Sequence, residues 1–122
     1  MQQYLPEILL VEDDFETLRT LAFLLRRSGY QVETATTVAE AEPLLEPGKV
    51  LISDIGLPDG SGWDLMVRFK AAGGRRGIAI SGFGEEHDIQ RSAQSGFSDH
   101  LVKPIDFDAL RTAIEAGQAP RS

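Results

Sequence analysis

The chain has 122 residues, a formal net charge of −7 at neutral pH and no cysteine. Its length suits a single domain with its own core, and 42% hydrophobic against 25% charged residues is typical of a soluble globular protein. The lack of cysteine excludes disulfides, zinc–thiolate sites and thiol nucleophiles. The acidic balance argues against direct binding of nucleic acid. Without a signal pattern or a long apolar run, we expect no membrane contact and a cytoplasmic location.

Five short apolar runs alternate with amphipathic or polar segments, which predicts alternating strands and helices. The run Ile8 to Val11 predicts a first buried strand, and Asp13 or Asp14 can cap the helix after it. The predicted strands are 7–11, 30–35, 49–53, 78–81 and 99–102. The predicted helices are 15–28, a second helix that Thr36 or Thr37 caps and that runs to about Leu45, and then 61–72, 85–95 and 106–116.

Three smaller features refine this pattern. Pro43 lies inside the second helix and should kink or shorten it. Residues 73–77 predict a turn that carries Arg75 and Arg76 in solvent, and Asp59-Gly60 predicts another turn. Residues 117–122 form a tail outside a core of about 7–116 in this single-domain interpretation.

The alternation predicts an α/β fold, a flavodoxin-like (βα)5 three-layer sandwich with a parallel sheet in the order 2-1-3-4-5. In that order the topological switch point lies between strands one and three. Glu12 and Asp13 follow the first of these strands, and Asp54 follows the other. We therefore expect the three carboxylates at the carboxyl edge of the sheet, where open α/β folds bind their ligands.

The residue types at this edge predict a site for a phosphoryl group. Carboxylates that repel one another require a cation, and their hard oxygen ligands favour Mg²⁺, with Mn²⁺ as the alternative. Ser81 brings a hydroxyl to the end of strand four, and Lys103 follows strand five with a compact positive charge. Such a set neutralises and positions a phosphoryl group, which Asp54 would accept as a carboxylate nucleophile.

The sequence resembles the response-regulator receiver domain of two-component signalling over about Ile8 to Ala116. Each matching segment is weak alone, but four of them in this order on the correct strand ends are specific. The segments are Leu10-Val11-Glu12-Asp13-Asp14, Ser53-Asp54-Ile55-Gly56-Leu57-Pro58 with Gly62, Ile80-Ser81-Gly82, and Leu101-Val102-Lys103-Pro104.

The resemblance implies a phosphoacceptor and a metal site that share Asp54. Asp13, Asp54 and the backbone carbonyl of Gly56 would bind the ion directly, and Glu12 would act mainly through water. The distance to Gly29-Tyr30 favours Glu12-Asp13 over Asp13-Asp14 as the metal-site pair.

The resemblance also implies residues that bind phosphate and residues that support the site. Ser81, Lys103 and the backbone amide of Gly82 would contact the phosphoryl oxygens. The structural residues would be Pro58, Gly62 and Pro104, the last joined to Lys103 by a cis peptide bond.

A switch is the third implication of the resemblance. In the family, the Ser or Thr at the position of Ser81 moves toward the phosphate and an aromatic residue of strand five turns inward. Here His100 stands at that aromatic position. The alternative is that His100 is a partly buried strand residue with no switching role. Helix four, strand five and helix five would form the surface that changes. Phe83 is expected to cover the site partly and slow hydrolysis.

The implied partners are a histidine kinase or phosphotransfer protein as donor, a downstream effector or regulator protein, and a second copy in a weak homodimer. The motifs are similar to those of receivers at the C-terminus of hybrid histidine kinases, and a free-standing response regulator is the alternative context. No turnover of a separate substrate is expected beyond self-catalysed phosphorylation and dephosphorylation of Asp54.

Three rival functions differ in what they need near Asp54. A haloacid-dehalogenase-type phosphatase requires a second acid two residues later, where Gly56 stands. A flavodoxin-like carrier of a nucleotide or flavin requires a Gly-rich or Ser/Thr-rich loop after strand one, where Glu12-Asp13-Asp14 would repel phosphate. A pseudo-receiver that serves only for docking remains the third alternative.

Overall fold

The structure, a computed structural model, describes residues 5–82, 84 and 86–116. Five strands form one parallel sheet in the order 2-1-3-4-5, which confirms the predicted α/β fold. The strands are β1 (Ile8–Val11), β2 (Val32–Ala35), β3 (Val50–Asp54), β4 (Arg76–Ser81) and β5 (Asp99–Val102). The helices are α1 (Phe15–Arg27), α2 (Val38–Ala41), α3 (Gly62–Ala71), α4 (Glu86–Ser95) and α5 (Phe107–Ala116). Phe83 and the predicted tail 117–122 lie outside the described residues.

Alternate strand residues face opposite sides of the sheet and build two apolar layers. Ile8 and Leu10 pack with α1 and α5, whereas Leu9 and Val11 pack with α2 and α3. The strands are apolar on both faces because helices cover both, as is usual for a parallel sheet. Polar side chains therefore collect at the strand ends. None of the described helices is long and apolar enough to cross a bilayer.

The acidic residues that follow β1 have different roles, because one of them caps α1. Asp14 is the N-cap, and its side chain accepts a hydrogen bond from the Thr17 N–H, one of the helix donors that would otherwise be unpaired. At the other end Gly29 has a φ of 101°, which glycine adopts without the steric cost of a side chain. The capping role thus falls to Asp14, and Asp13 joins the cluster described below.

Thr37 caps the second helix, which ends before the predicted Leu45, and the predicted effect of Pro43 is confirmed. The α-helix ends at Ala41 and continues as a 3₁₀ turn over Glu42–Leu44, with the proline near its start. A proline there has no N–H to donate and so interrupts the α-helical ladder.

The prediction that Arg76 lies in solvent is wrong. The strand β4 begins at Arg76, two residues earlier than predicted, and its guanidinium bonds to Asp99 Oδ2 at 2.6 Å and to the carbonyl of Ala113. These partners come from β5 and α5, so the arginine fastens the edge of the sheet to the last helix. Arg75 is exposed, as predicted.

A small hairpin between β3 and α3 was not predicted. Gly56–Leu57 pairs in antiparallel fashion with Gly60–Ser61, and two-residue strands are too short to show periodicity. Asp59 lies in the turn of this hairpin, where its carboxylate accepts hydrogen bonds from the N–H groups of Val38 (2.8 Å) and Ala39 (3.0 Å). The residue therefore caps α2 from about twenty positions away, and these bonds lower its pKa.

Gly62 lies against the end of β3. A Cβ atom there would be 2.3 Å from the backbone oxygen of Asp54 and 2.9 Å from Ser53 Oγ. The N–H of Gly62 also donates to the carbonyl of Ile55 at 2.9 Å. The first turn of α3 can approach the strand end this closely only when residue 62 lacks a side chain.

We therefore expect Gly62→Ala to destabilise the domain by about 1–3 kcal/mol or more, because the backbone of Asp54 cannot move aside as a flexible side chain could. Urea unfolding followed by circular dichroism measures this change. Gly48→Ala is the matched control, since a Cβ at Gly48 meets nothing within 4 Å. Equal stability of the two variants would contradict the close approach.

Candidate functional site

Three carboxylates meet at the carboxyl edge of the sheet. Glu12 and Asp13 follow β1, and Asp54 is the last residue of the neighbouring strand β3. One oxygen from each of the three lies within 4.8 Å of the others. The parallel register of β1 and β3 produces this proximity, because both strands reach the same edge.

The three carboxylates differ in their access to water. The side chain of Glu12 is fully buried, that of Asp54 is 11% exposed, and Asp13 is exposed. The cluster therefore has a dry inner side at Glu12 and an open side at Asp13.

Lys103 lies between the two inner carboxylates. Its Nζ is 2.9 Å from Asp54 Oδ2 and 2.8 Å from Glu12 Oε1. Its backbone N–H donates to the carbonyl of Ser81 at 2.7 Å, and its peptide bond with Pro104 is cis. Burial alone would lower the pKa of the Lys103 ammonium, but the neighbouring Asp54 and Glu12 carboxylates outweigh this effect and raise the pKa. The lysine is thus a permanent positive charge in the site.

Both oxygens of Asp54 have donors. Oδ1 accepts the backbone N–H of Gly56 at 3.1 Å, and Oδ2 accepts from Lys103 at 2.9 Å. These two contacts fix the carboxylate at the carboxyl edge of the sheet, where it is still partly exposed.

Glu12 is held less completely. Its Oε2 accepts the N–H of Asp14 at 3.1 Å, whereas Oε1 is buried and accepts no hydrogen bond, although the Lys103 ammonium lies at ion-pair distance. Loss of water on burial raises the pKa of the Glu12 carboxyl from 4.5 to about 7, because Lys103 and the Asp14 amide compensate only in part and Asp54 opposes ionisation further.

The donor set fits a hard divalent cation. Carboxylate oxygens are the ligands that Mg²⁺ prefers, and Glu12 Oε1 is a buried oxygen that still lacks a hydrogen bond. Gly56, predicted to contribute its carbonyl, begins the hairpin next to Asp54.

The predicted phosphate-binding residues lie on the same edge. Ser81 ends β4 and is buried, and the exposed Gly82 follows it. A Cβ at Gly82 would meet nothing within 4 Å, so the backbone there is open to an incoming group. Pro58 is exposed in the turn of the hairpin that follows Asp54.

His100 is half-buried on β5, with both ring nitrogens in contact with serines. Nε2 is 2.8 Å from Ser81 Oγ, and Nδ1 is 2.8 Å from the Oγ of Ser92 on α4. Ser92 also accepts a hydrogen bond from the indole of Trp63 at 2.9 Å. Ser92 was not predicted, because a serine in a polar helix has no signal that separates it from its exposed neighbours.

The model of the response regulator receiver domain family matches residues 8–115. The chain belongs to this family. The match spans every strand of the sheet and every residue of the acidic cluster, and it agrees with the order 2-1-3-4-5. The chain is a receiver domain of the kind that response regulators carry, which is consistent with two-component signalling.

Individual relatives agree with this assignment. An uncharacterised 14.6 kDa protein in the sodA1 3′ region of Leptolyngbya boryana is 36% identical over 105 residues, which cover 82% of this chain and 80% of that protein. The acid tolerance regulatory protein ActR of Rhizobium meliloti is 35% identical over 113 residues, which cover 88% of this chain but 57% of ActR. The non-phosphorylated HemR receiver domain of Leptospira biflexa has a TM-score of 0.84 at 28% identity, with 96% of this chain and 97% of that one covered.

The raised pKa of Glu12 predicts a pH-dependent stability. Between about pH 4.5 and 7 the unfolded chain loses the Glu12 proton while the folded protein keeps it, so this group stabilises the metal-free protein at low pH and ceases to do so as pH rises through about 7. The full effect is at most about 3 kcal/mol.

Glu12→Gln removes this titration. In EDTA, the advantage in unfolding free energy of wild type over E12Q should therefore be smaller at about pH 8 than at about pH 5. Urea unfolding at both values measures it, and Glu16→Gln, exposed on α1, should leave the pH dependence as in wild type. An advantage that grows with pH would contradict the assigned direction.

Proposed function

We propose that this receiver domain accepts a phosphoryl group on Asp54 from a phosphohistidine, in a Mg²⁺-dependent reaction within a cytoplasmic phosphorelay. The observation that carries the proposal is the position of the Asp54 carboxylate. It ends a buried strand, lies between the Lys103 ammonium and the Gly56 amide, and faces two further carboxylates.

The proposed step is an in-line displacement at phosphorus. An oxygen of Asp54 forms the new P–O bond while the P–N bond of the phosphohistidine breaks, and the electron pair returns to the donor's imidazole nitrogen, which takes up a proton. In hydrolysis a water oxygen forms the new P–O bond while the P–O bond to Asp54 breaks. The electron pair returns to the Asp54 carboxylate, and the proton that the water loses passes to the phosphate product or to solvent.

Residues of the chain supply charge and position for this step. Lys103, already 2.9 Å from Asp54, would move its hydrogen bond from the carboxylate to a phosphoryl oxygen. Ser81 and the backbone N–H of Gly82 would bind the other oxygens. In the structure Lys103 already contacts Asp54, whereas Ser81 and Gly82 lie at the end of β4 on the same edge.

A bound Mg²⁺ would neutralise the charge that the carboxylates and the phosphoryl oxygens share. Asp13, Asp54 and the Gly56 carbonyl would hold it directly and Glu12 through water, with Mn²⁺ as a substitute. Ser81 and His100 would then act as the switch, and the surface of α4, β5 and α5 would change.

Receiver domains interact with histidine kinases or phosphotransfer proteins and with effectors. For this chain the donor is proposed to be one of the first two, and the recipient a downstream effector or regulator protein. The chain spans little more than half of ActR but four-fifths of the Leptolyngbya protein. The relatives therefore include proteins much longer than this chain and proteins of similar length. A parent hybrid histidine kinase, a single-domain organisation and a weak homodimer all stay predictions.

Phosphorylation is tested by intact mass. After incubation with Mg²⁺ and acetyl phosphate, we expect a gain of one phosphoryl group, because a small donor can reach the partly exposed Asp54 carboxylate. Asp54→Asn should abolish the gain, and so should EDTA.

Asp59→Asn is the matched control, since it makes the same change in a nearby carboxylate that contacts α2 instead of the cluster. A gain that survives in D54N would move the modification to another residue. No gain with either acetyl phosphate or a phosphorylated histidine protein would favour the docking module.

Lys103→Met separates ion binding from phosphoryl transfer. Removal of the ammonium leaves the oxygens of Glu12 and Asp54 without their cation, so Mg²⁺ should bind more tightly, whereas phosphorylation by acetyl phosphate should be slower by about tenfold or more. Titration calorimetry and the rate of mass gain report the two effects. Lys70→Met removes a charge on the exposed side of α3 and should change neither quantity. Weaker Mg²⁺ binding by K103M would refute the idea that the Lys103 ammonium competes with Mg²⁺ for the oxygens of Glu12 and Asp54.

A further inference from the structure

A row of hydrogen bonds leads from the candidate phosphate site to the surface of α3 and α4. Ser81 Oγ is 2.8 Å from His100 Nε2, and His100 Nδ1 is 2.8 Å from Ser92 Oγ. The indole Nε1 of Trp63 is 2.9 Å from the same Ser92 oxygen. The row therefore joins β4, β5, α4 and α3 through side chains alone.

The direction of each proton follows from the indole, which can only donate. Ser92 accepts from Trp63, and the remaining partner of this buried hydroxyl among the described residues is His100, so the Ser92 proton points to Nδ1. Nδ1 is then an acceptor, and the imidazole carries its proton on Nε2. Consequently His100 donates to Ser81 Oγ, and the hydroxyl proton of Ser81 is directed away from the imidazole.

Ser92 also has an unusual place in its helix. Of the ten described residues of α4 it is the buried one, so a polar contact occupies the position where an apolar side chain normally anchors a helix. The guanidinium of Arg91, the preceding residue, lies 4.2 Å from the centre of the Trp63 ring. The packing of α4 on α3 therefore depends on the serine and on the indole that it binds.

We propose that His100 and Ser92 are positioning residues, which orient Ser81 as a donor to the phosphoryl group and transmit its engagement to Trp63. The inference rests on the proposed function of Asp54. When Ser81 moves to a phosphoryl oxygen, His100 must follow or lose its bond. Either change alters the bond at Nδ1, and Ser92 passes the change to the indole and to the contact between α3 and α4.

Trp63 makes this proposal measurable, because the chain has one tryptophan and hence one indole N–H resonance. Nuclear magnetic resonance of the ¹⁵N-labelled chain reports that N–H and the ring nitrogens of His100. We expect a protonated Nε2 and an unprotonated Nδ1 in the resting protein. Addition of Mg²⁺ and beryllofluoride, a phosphoryl mimic, should shift the Trp63 N–H resonance.

Ser92→Ala and His100→Phe should each abolish this shift while the protein still binds beryllofluoride, which fluorine resonances report independently. The matched control is Ser95→Ala on the same helix, where the hydroxyl bonds to the carbonyl of Arg91 and lies outside the row. This variant should respond as wild type does.

The outcomes separate the two proposals. Failure of the wild type to bind beryllofluoride would overturn the proposed function and this inference together. Binding with an unchanged Trp63 resonance, or a wild-type shift in S92A, would overturn this inference alone, and so would a protonated Nδ1 in the resting wild type. Loss of the shift in S92A and H100F with a normal response in S95A would support the row as the transmitting element.

Discussion

The contact of Lys103 with both Glu12 and Asp54 is the interaction on which the functional edge of the molecule depends. A carboxylate as buried as Glu12 is costly, and the ammonium at 2.8 Å offsets part of that cost while burial still raises the pKa of Glu12 to about 7. The same ammonium restrains Asp54 at 2.9 Å. The ion pairs of Lys103 thereby connect the end of the edge strand β5 with the ends of the inner strands β1 and β3.

The site arises from topology rather than from any long motif. Helices cover both faces of the parallel sheet with apolar residues, so functional groups are confined to the strand ends. Because β1 and β3 are neighbours in register, Glu12 and Asp54 meet although they are far apart in sequence. The close contact of Gly62 with the Asp54 carbonyl then fixes where β3 ends and where the hairpin of residues 56–61 begins.

Prediction from the sequence succeeded where the signal was local. The apolar run before Asp54, the cap at Asp14 and the break at Pro43 each act within a few residues. It failed for Arg76, found the turn at Asp59 but not its capping role, and was silent on Ser92; the partners of these three residues lie on other elements. Those roles depend on which helix packs beside which strand, and periodicity carries no information about pairs of that kind.

The hairpin after β3 is braced at two points, by the Asp59 carboxylate on the N–H groups of α2 and by the Gly62 N–H on Ile55. A hairpin that is held in this way would lose little further conformational entropy if a donor protein docked over Asp54. Recognition at this hairpin would therefore be the contact of two rigid surfaces. Shape and charge would discriminate between donors, and no loop would have to fold around them.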